Sequence, residues 1–223
     1  MLRLTKVIGL FAILTLTGCV TPVMLTKQDA YPDMYAQGPQ SILVVPAINK
    51  TTAADAPDLY STTIAQPLAE AGYYVMPIPM VDMLLTAEGI TDGEQLRSIE
   101  PTKFKSMFGA DSILFVTINQ WDTNYYLTGG NVTVGADFEL VSTQSATALW
   151  NYSGRVVIDT SGNSGNLIAD IISTAITTAL TDYVPIARQV NARVMTTLPL
   201  GKYHYRHKLD GQDPVVNKQI AGR

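Results

Sequence analysis

A lone cysteine limits this chain before anything else does. Cys19 is the only thiol in 223 residues, so no disulfide staples the fold and no group of thiolates holds a metal. Whatever forms must be held by a packed core. The thiol follows Arg3, Lys6 and an uncharged apolar run from Val7 to Leu16. A helix needs about 20 apolar residues to span a bilayer, so this run is too short. A positive start, a short apolar stretch and small residues at its end make the pattern of a secretory leader. Residues 1–18 are read as that leader.

Leu16-Thr17-Gly18-Cys19 resembles the lipobox of bacterial lipoproteins, with Thr17 standing where Ala or Ser is more usual. The resemblance implies diacylglyceryl transfer to the Cys19 sulfur, cleavage between Gly18 and Cys19, and acylation of the new amine. Each buried methylene contributes about 0.8 kcal/mol, and one myristoyl chain alone binds only marginally. Three long chains would hold the protein permanently. Val20 stands where an aspartate would commonly retain a lipoprotein in the inner membrane, which implies transfer to the outer membrane.

The full chain carries a formal charge of −4, and Arg3 and Lys6 leave with the leader, so the mature protein is more acidic still. That argues against nucleic acid as a partner and against electrostatic attachment to anionic lipid as the main anchor. Charged residues make up 15% of the chain, below the usual quarter. Ser and Thr take their place, a composition suited to surfaces that meet other subunits.

Residues 19–40 lack helical or strand periodicity and are read as the lipidated end and tether, with a reach of about 25 Å if flexible. Residues 41–200 are read as a single α/β domain. Ser41 to Pro46 reads as a strand buried on both faces. A helix follows, with Asp58 as its cap, Leu59, Ile64 and Leu68 inward, and Pro67 kinking or dividing it. Gly72 ends it, and Tyr73 to Met76 make a second strand, completing a βαβ unit. A second helix places Val81, Leu84 and Leu85 inward. Short helical turns lead through Pro101 and Gly109 to a third strand, Ser112 to Trp121. Val132, Val134, Ala136, Phe138 and Leu140 then alternate with polar residues, and a second strand follows, as an antiparallel hairpin requires. Gly129-Gly130 is read as the turn before it.

Leu167 to Leu180 carries apolar residues at helical spacing. Its other face bears Ser173, Thr174, Thr177 and Thr178, a candidate subunit interface. Another helix follows, with Pro185 in its first turn. Residues 201–223 are read as a polar, locally basic tail without a core pattern.

"SILVVP", "PLAEAGYYVMPIPMVD", "FGADSILFVTINQWD" and "LPLGKYH" together resemble a family of uncharacterised bacterial outer-membrane lipoproteins, over roughly Ser41 to His204. The resemblance implies a mixed sheet packed by helices, like the N-terminal domain of TolB. It also implies genes set beside those of a CsgG-like pore-forming lipoprotein and a second small lipoprotein, and a dimer working in an outer-membrane assembly or secretion machine. The basic run Tyr205 to Lys208 departs from that family's more proline-rich ending.

No residue pattern specifies catalysis. His204 and His207 could form half a metal site, but a solvated tail is the simpler reading, and contact with acidic lipid through the tail is weaker than that. Ser164 lacks the Gly-x-Ser-x-Gly setting and a histidine base. Asp122, Asp137 and Glu139 are read as carboxylates on a wet strand face, and Trp121 as a strand-end aromatic. No cofactor is implied. The expected function is that of a non-enzymatic, periplasm-facing assembly or secretion accessory acting through protein contacts. The alternative is a small-molecule or glycan-binding lipoprotein using the crevice at the carboxyl ends of the parallel strands, near Pro46, Pro77 and Asn119.

Overall fold

The computed structural model describes residues 25–126, 129–159 and 183–215. The leader, Gly18, Cys19, Ser164, and the Leu167–Leu180 stretch with Ser173, Thr174, Thr177 and Thr178 lie outside the described residues.

One long strand organises the rest. β4, Ser112–Tyr126, is paired on both sides. On one side, β1 (Ser41–Val44) runs parallel to its first residues, with Ile42 opposite Ser112 and Val44 opposite Leu114. Farther along the same side, β2 (Ile48–Asn49) pairs with Thr117 and Ile118. On the other side, β5 (Gly129–Ser142) runs antiparallel along the whole of β4, and β6 (Ala148–Asp159) runs antiparallel to β5. β3 (Tyr74–Val75) lies parallel outside β1, so the order is β3-β1-β4-β5-β6. This is the mixed α/β sheet expected, with parallel βαβ pairing followed by an antiparallel hairpin.

Burial follows the residue pattern. The apolar run Ile42 to Val45, most of β1 and the residue after it, sends Ile42 and Val44 into one core and Leu43 and Val45 into the other. The alternating stretch of β5 feeds the first: Val132, Val134, Ala136, Phe138 and Leu140 are each at most 2% exposed, and only Val141, at the strand's end, joins the second. Helices α3 (Ala56–Glu70) and α7 (Val184–Met195) cover that larger core. Helices α4 (Ile78–Ala87), α5 (Gly93–Leu96) and α6 (Pro101–Phe108) cover the smaller one, against β1 and the first residues of β4. Fully burying one large apolar side chain contributes about 1.5–3 kcal/mol, so these two cores replace the missing staples. Between α3 and α7 lies a closed polar network. The Tyr60 hydroxyl donates to Asn191 Oδ1, and Asn191 Nδ2 donates to Thr63 Oγ1 at 2.8 Å. Every member is partnered, so the network fixes the helix pair without an orphaned group.

Several expectations change. α3 begins at Ala56, with Pro57 in its first turn, and Asp58 lies inside that turn rather than before it. Pro67 does not divide the helix, which continues through it to Glu70, although the proline forfeits one i to i−4 bond. Leu84 is 47% exposed, not inward. α4 turns only a narrow stripe, Ile78, Val81 and Leu85, toward the sheet, and position 84 falls about 60° off that stripe. Gly129 and Gly130 are paired within β5, opposite Tyr126 and Tyr125, rather than forming the turn. Trp121 stands within β4, not at its end. The stretch read as a tether carries two short helices, α1 (Lys27–Ala30) and α2 (Pro32–Gln37).

The last departure is at the carboxyl end. Residues read as a solvated tail from 201 onward are packed through Val215, and Gly201, Asp210, Gly211 and Val215 are buried. The docking point is a glycine pair. A Cβ on Gly72 would stand 2.5 Å from the His204 amide nitrogen and 2.8 Å from the Gly201 carbonyl. A Cβ on Gly201 would meet the Gly72 carbonyl at 2.3 Å. Gly72 also has φ +91, whereas Gly109, with φ +72, has no atom within 4 Å of an added Cβ. Replacing Gly109 by Ala should therefore cost only the left-handed backbone penalty, about 1 kcal/mol. Gly72→Ala adds a backbone collision to that penalty and should cost clearly more, about 3 kcal/mol. Urea unfolding of the two variants checks the ordering.

Candidate functional site

The two ends of the described chain meet in a junction built from backbone bonds and a buried ion pair. Backbone bonds join them first: Lys27 N donates to the Asp213 carbonyl at 2.9 Å, Gln28 N to Gly211 at 3.0 Å, and Val215 N to Leu25 at 2.8 Å. Thr26 and Pro214 form an antiparallel bridge. Beneath them is an ion pair. Lys27 Nζ lies 3.6 Å from Asp210 Oδ2 and donates to the Leu198 carbonyl at 2.9 Å, with the Asp210 side chain wholly buried. Asp210 Oδ2 also accepts from the Leu200 amide at 2.8 Å. Burial pulls the Lys27 pKa below its ordinary value, and the Asp210 charge opposes that pull.

The second carboxylate oxygen, Asp210 Oδ1, and the Tyr35 hydroxyl are buried close to each other, and neither meets a partner in full hydrogen-bond geometry among the described residues. Burial first, and the Asp210 charge second, push the Tyr35 hydroxyl pKa well up. Tyr73 donates its hydroxyl to the Pro199 carbonyl, and His207 Nδ1 pairs with the Leu200 carbonyl at 2.8 Å. The helices α1 and α2, the α3–β3 corner and residues 198–215 are thus tied at one end of the sheet.

The start of β1 is latched at that same end. The Asp111 carboxylate accepts from the Gln40 and Ser41 amides, at 3.0 and 3.2 Å, and from Lys105. Lys202 Nζ reaches Gln40 Oε1 at 3.0 Å, which links the latch to the carboxyl-terminal segment. Burial would raise the Asp111 pKa, but the Lys105 and Gln40 bonds outweigh it and hold the carboxyl below its ordinary value.

The residues singled out as chemistry are dispersed. Asp137 accepts from Asn119 Nδ2 at 2.6 Å, and Glu139 is ion-paired with Arg97, whose guanidinium lies 4.2 Å above the Phe115 ring. Asp122 is opposite Thr133, four positions along β5 from Asp137, or roughly 13 Å. No two of these carboxylates face each other across a cleft. Trp121 is 3% exposed and stacks on Tyr183 with ring centroids 4.9 Å apart. His204 Nδ1 accepts from the Arg206 amide at 3.1 Å, so both histidines are engaged within the segment that carries them.

At the carboxyl end of β1, α5 packs closely on the chain: a Cβ on Gly93 would stand 2.1 Å from the Pro46 carbonyl. A cleft of about 220 Å³ lies between Tyr31, Asp33, Trp150 and Asn151, smaller than the roughly 300–1,000 Å³ usual for a ligand pocket. Sequence reasoning missed the junction. Its signals were Lys27 and Asp210, 183 positions apart, and nothing local connects them.

Removing one member of a buried pair leaves the other charge uncompensated, which costs about 3 kcal/mol. Lys27→Met should destabilise by about that amount, and Asp210→Asn in the same chain should recover more than about 1 kcal/mol of it. A double-mutant cycle by urea unfolding reads the coupling. Asp111 predicts a pH effect. Its depressed pKa contributes stability above about pH 4, which is lost as pH falls through the lower folded value. About a third of the side chain is exposed, so Asp111→Asn should cost only about 1 kcal/mol at neutral pH. That gap should close as pH falls below about 4 and through the lowered folded value, as acid unfolding of the two proteins would show.

Residues 29–208 match the family described as "Putative lipoprotein GNA1162-like". A lipoprotein of Neisseria meningitidis serogroup B, described as "Putative lipoprotein NMB1124/NMB1162", is 30% identical over 175 residues, 76% of this chain and 78% of that one. The crystal structure of lipoprotein GNA1162 from Neisseria meningitidis superposes with a TM-score of 0.52 at 32% identity, covering 62% of this chain and 96% of that one. The match runs from Asp29 to Lys208, so Lys27 and Asp210 stand just outside its two ends. On sequence and fold together, the chain belongs to the GNA1162-like lipoprotein family.

Proposed function

We propose that the protein is an outer-membrane lipoprotein, anchored through acylated Cys19, whose periplasm-facing domain is a non-enzymatic structural or assembly and secretion accessory. It acts by protein contacts, as a dimer, with a CsgG-like lipoprotein and a second small lipoprotein as its partners. The resemblance to lipoproteins encoded beside CsgG-like genes motivates those partners, and the Ser173, Thr174, Thr177 and Thr178 face is the proposed dimer contact.

One observation carries the protein-contact reading. α4 presents Met80, Met83 and Leu84 to solvent, 56%, 64% and 47% exposed. Contiguous exposed apolar side chains of this size mark interaction surfaces, and methionine adapts to the shape of what it meets. The helix is held from below by Ile78, Val81 and Leu85, so the ridge is displayed on a rigid support.

Crosslinking in cells followed by purification from detergent-solubilised outer membranes tests the reading. The intact protein should recover a CsgG-like lipoprotein, and Met80→Ser with Met83→Ser should lose it while the protein stays in the membrane fraction. Recovery of that partner undiminished by the two substitutions, or retention of a small molecule with no protein partner, would contradict it.

A further inference from the structure

We infer that the carboxyl-terminal turn Lys202–Leu209 is a membrane-seating surface, laid against the phospholipid headgroups beside the lipid anchor. The inference rests on the proposed acylation of Cys19. It goes beyond it by assigning which face of the domain meets the bilayer, and through which residues.

The first argument is covalent reach. Six residue steps separate Cys19 from Leu25, and a fully extended chain spans at most about 3.6 Å per residue, or roughly 20 Å in all. A compact domain of this size is roughly 40 Å across. The leash is therefore shorter than the body it holds, and the face on which Leu25 emerges must look toward the membrane.

Backbone bonding defines that face. Leu25, Lys27 and Gln28 are bonded to Val215, Asp213 and Gly211. Arg206 closes onto the same strip through its ion pair with Asp213 at 3.1 Å. The turn ending at Leu209 thus adjoins the strip that receives the anchored end.

The second argument is what that turn displays. Tyr203, Tyr205 and Leu209 are 65%, 86% and 71% exposed, and Leu25 is 45% exposed. Lys202 and Lys208 are exposed between and beside them. Tyrosine rings favour the boundary between headgroups and acyl chains, with the hydroxyl kept in the wet layer. Lysine sets its methylene stem along apolar surface and its ammonium among phosphates. The segment is basic within an acidic chain, so anionic headgroups are attracted here and repelled elsewhere. Its rigidity follows from Gly72 against Gly201 and from Asp210 beneath: the side chains are presented by a fixed turn, not by a loose end.

Because Cys19 is the only native thiol and is acylated in the mature protein, an introduced cysteine can be labelled alone. Mature lipidated protein carrying Leu209→Cys with an environment-sensitive fluorophore would be reconstituted in vesicles of phosphatidylethanolamine and phosphatidylglycerol containing nitroxide-headgroup lipid. Asp122→Cys is the reference, since Asp122 is ten positions along β4 from Ser112 and exposed, roughly 33 Å toward the other end of the sheet. Mass spectrometry confirms the acyl chains on the same sample. Severalfold stronger quenching at position 209 than at 122 is the expected result. Equal quenching, or none at 209 in protein that is acylated and floats with the vesicles, overturns the seating surface while leaving the anchor intact. An unacylated mature protein overturns the anchor, and the seating inference falls with it.

Discussion

The pairing of Lys27 with Asp210 is the constraint on which the molecule's layout depends. It joins positions 183 apart and holds the first described residues against the last. Neither group can leave without exposing the other: the ammonium has one carbonyl and one carboxylate to satisfy it, and the carboxylate side chain is fully buried. A buried pair of this kind adds little net stability over an apolar substitute, and it strongly penalises any arrangement in which the partners are apart. Its effect is to specify where the chain ends go. If Cys19 is acylated as proposed, that specification also sets which face of the domain the anchor leaves from.

β4 carries the fold's other commitments. Its first residues lie between β1 and β5 with helices over both faces, and they are correspondingly apolar on both. Farther along, Thr117 and Asp122 appear on the face opposite Trp121, and the helices α4 to α6 no longer reach that far. The sheet thus has a doubly covered end, where the Lys27–Asp210 junction, Asp111 and the Gly72–Gly201 contact sit, and a singly covered arm. The junction belongs to the doubly covered end.

Much of this was legible in the residues. The even apolar run of β1, the alternation from Val132 to Leu140 and the Pro101 and Gly109 punctuation each reflect local geometry, and each has its expected place. What could not be read was non-local or too short to carry a period. β2 has two residues, and its identity comes from β4. The helices α1 and α2 have four and six residues, well below the length at which a helix is stable alone, and they persist because Lys27 and Met34 are buried against distant partners. The carboxyl-terminal segment looked like a solvated tail because turns have no periodicity, and its order derives from a glycine contact and an ion pair. The candidate catalytic residues were judged by spacing alone, and the sheet register keeps Asp122 apart from Asp137 and Glu139 for the same reason that spacing did not select a pair.

The central claim is that residues 25–28 and 209–215 are one folded unit with the sheet, not two loose ends. Native-state hydrogen exchange of the full-length lipidated protein measures this directly at the amides of Lys27, Gln28 and Val215, which donate across the junction. Protection comparable to that of the β4 amides is the predicted result. Exchange at the rate of fraying termini, with β4 still protected, would contradict the account.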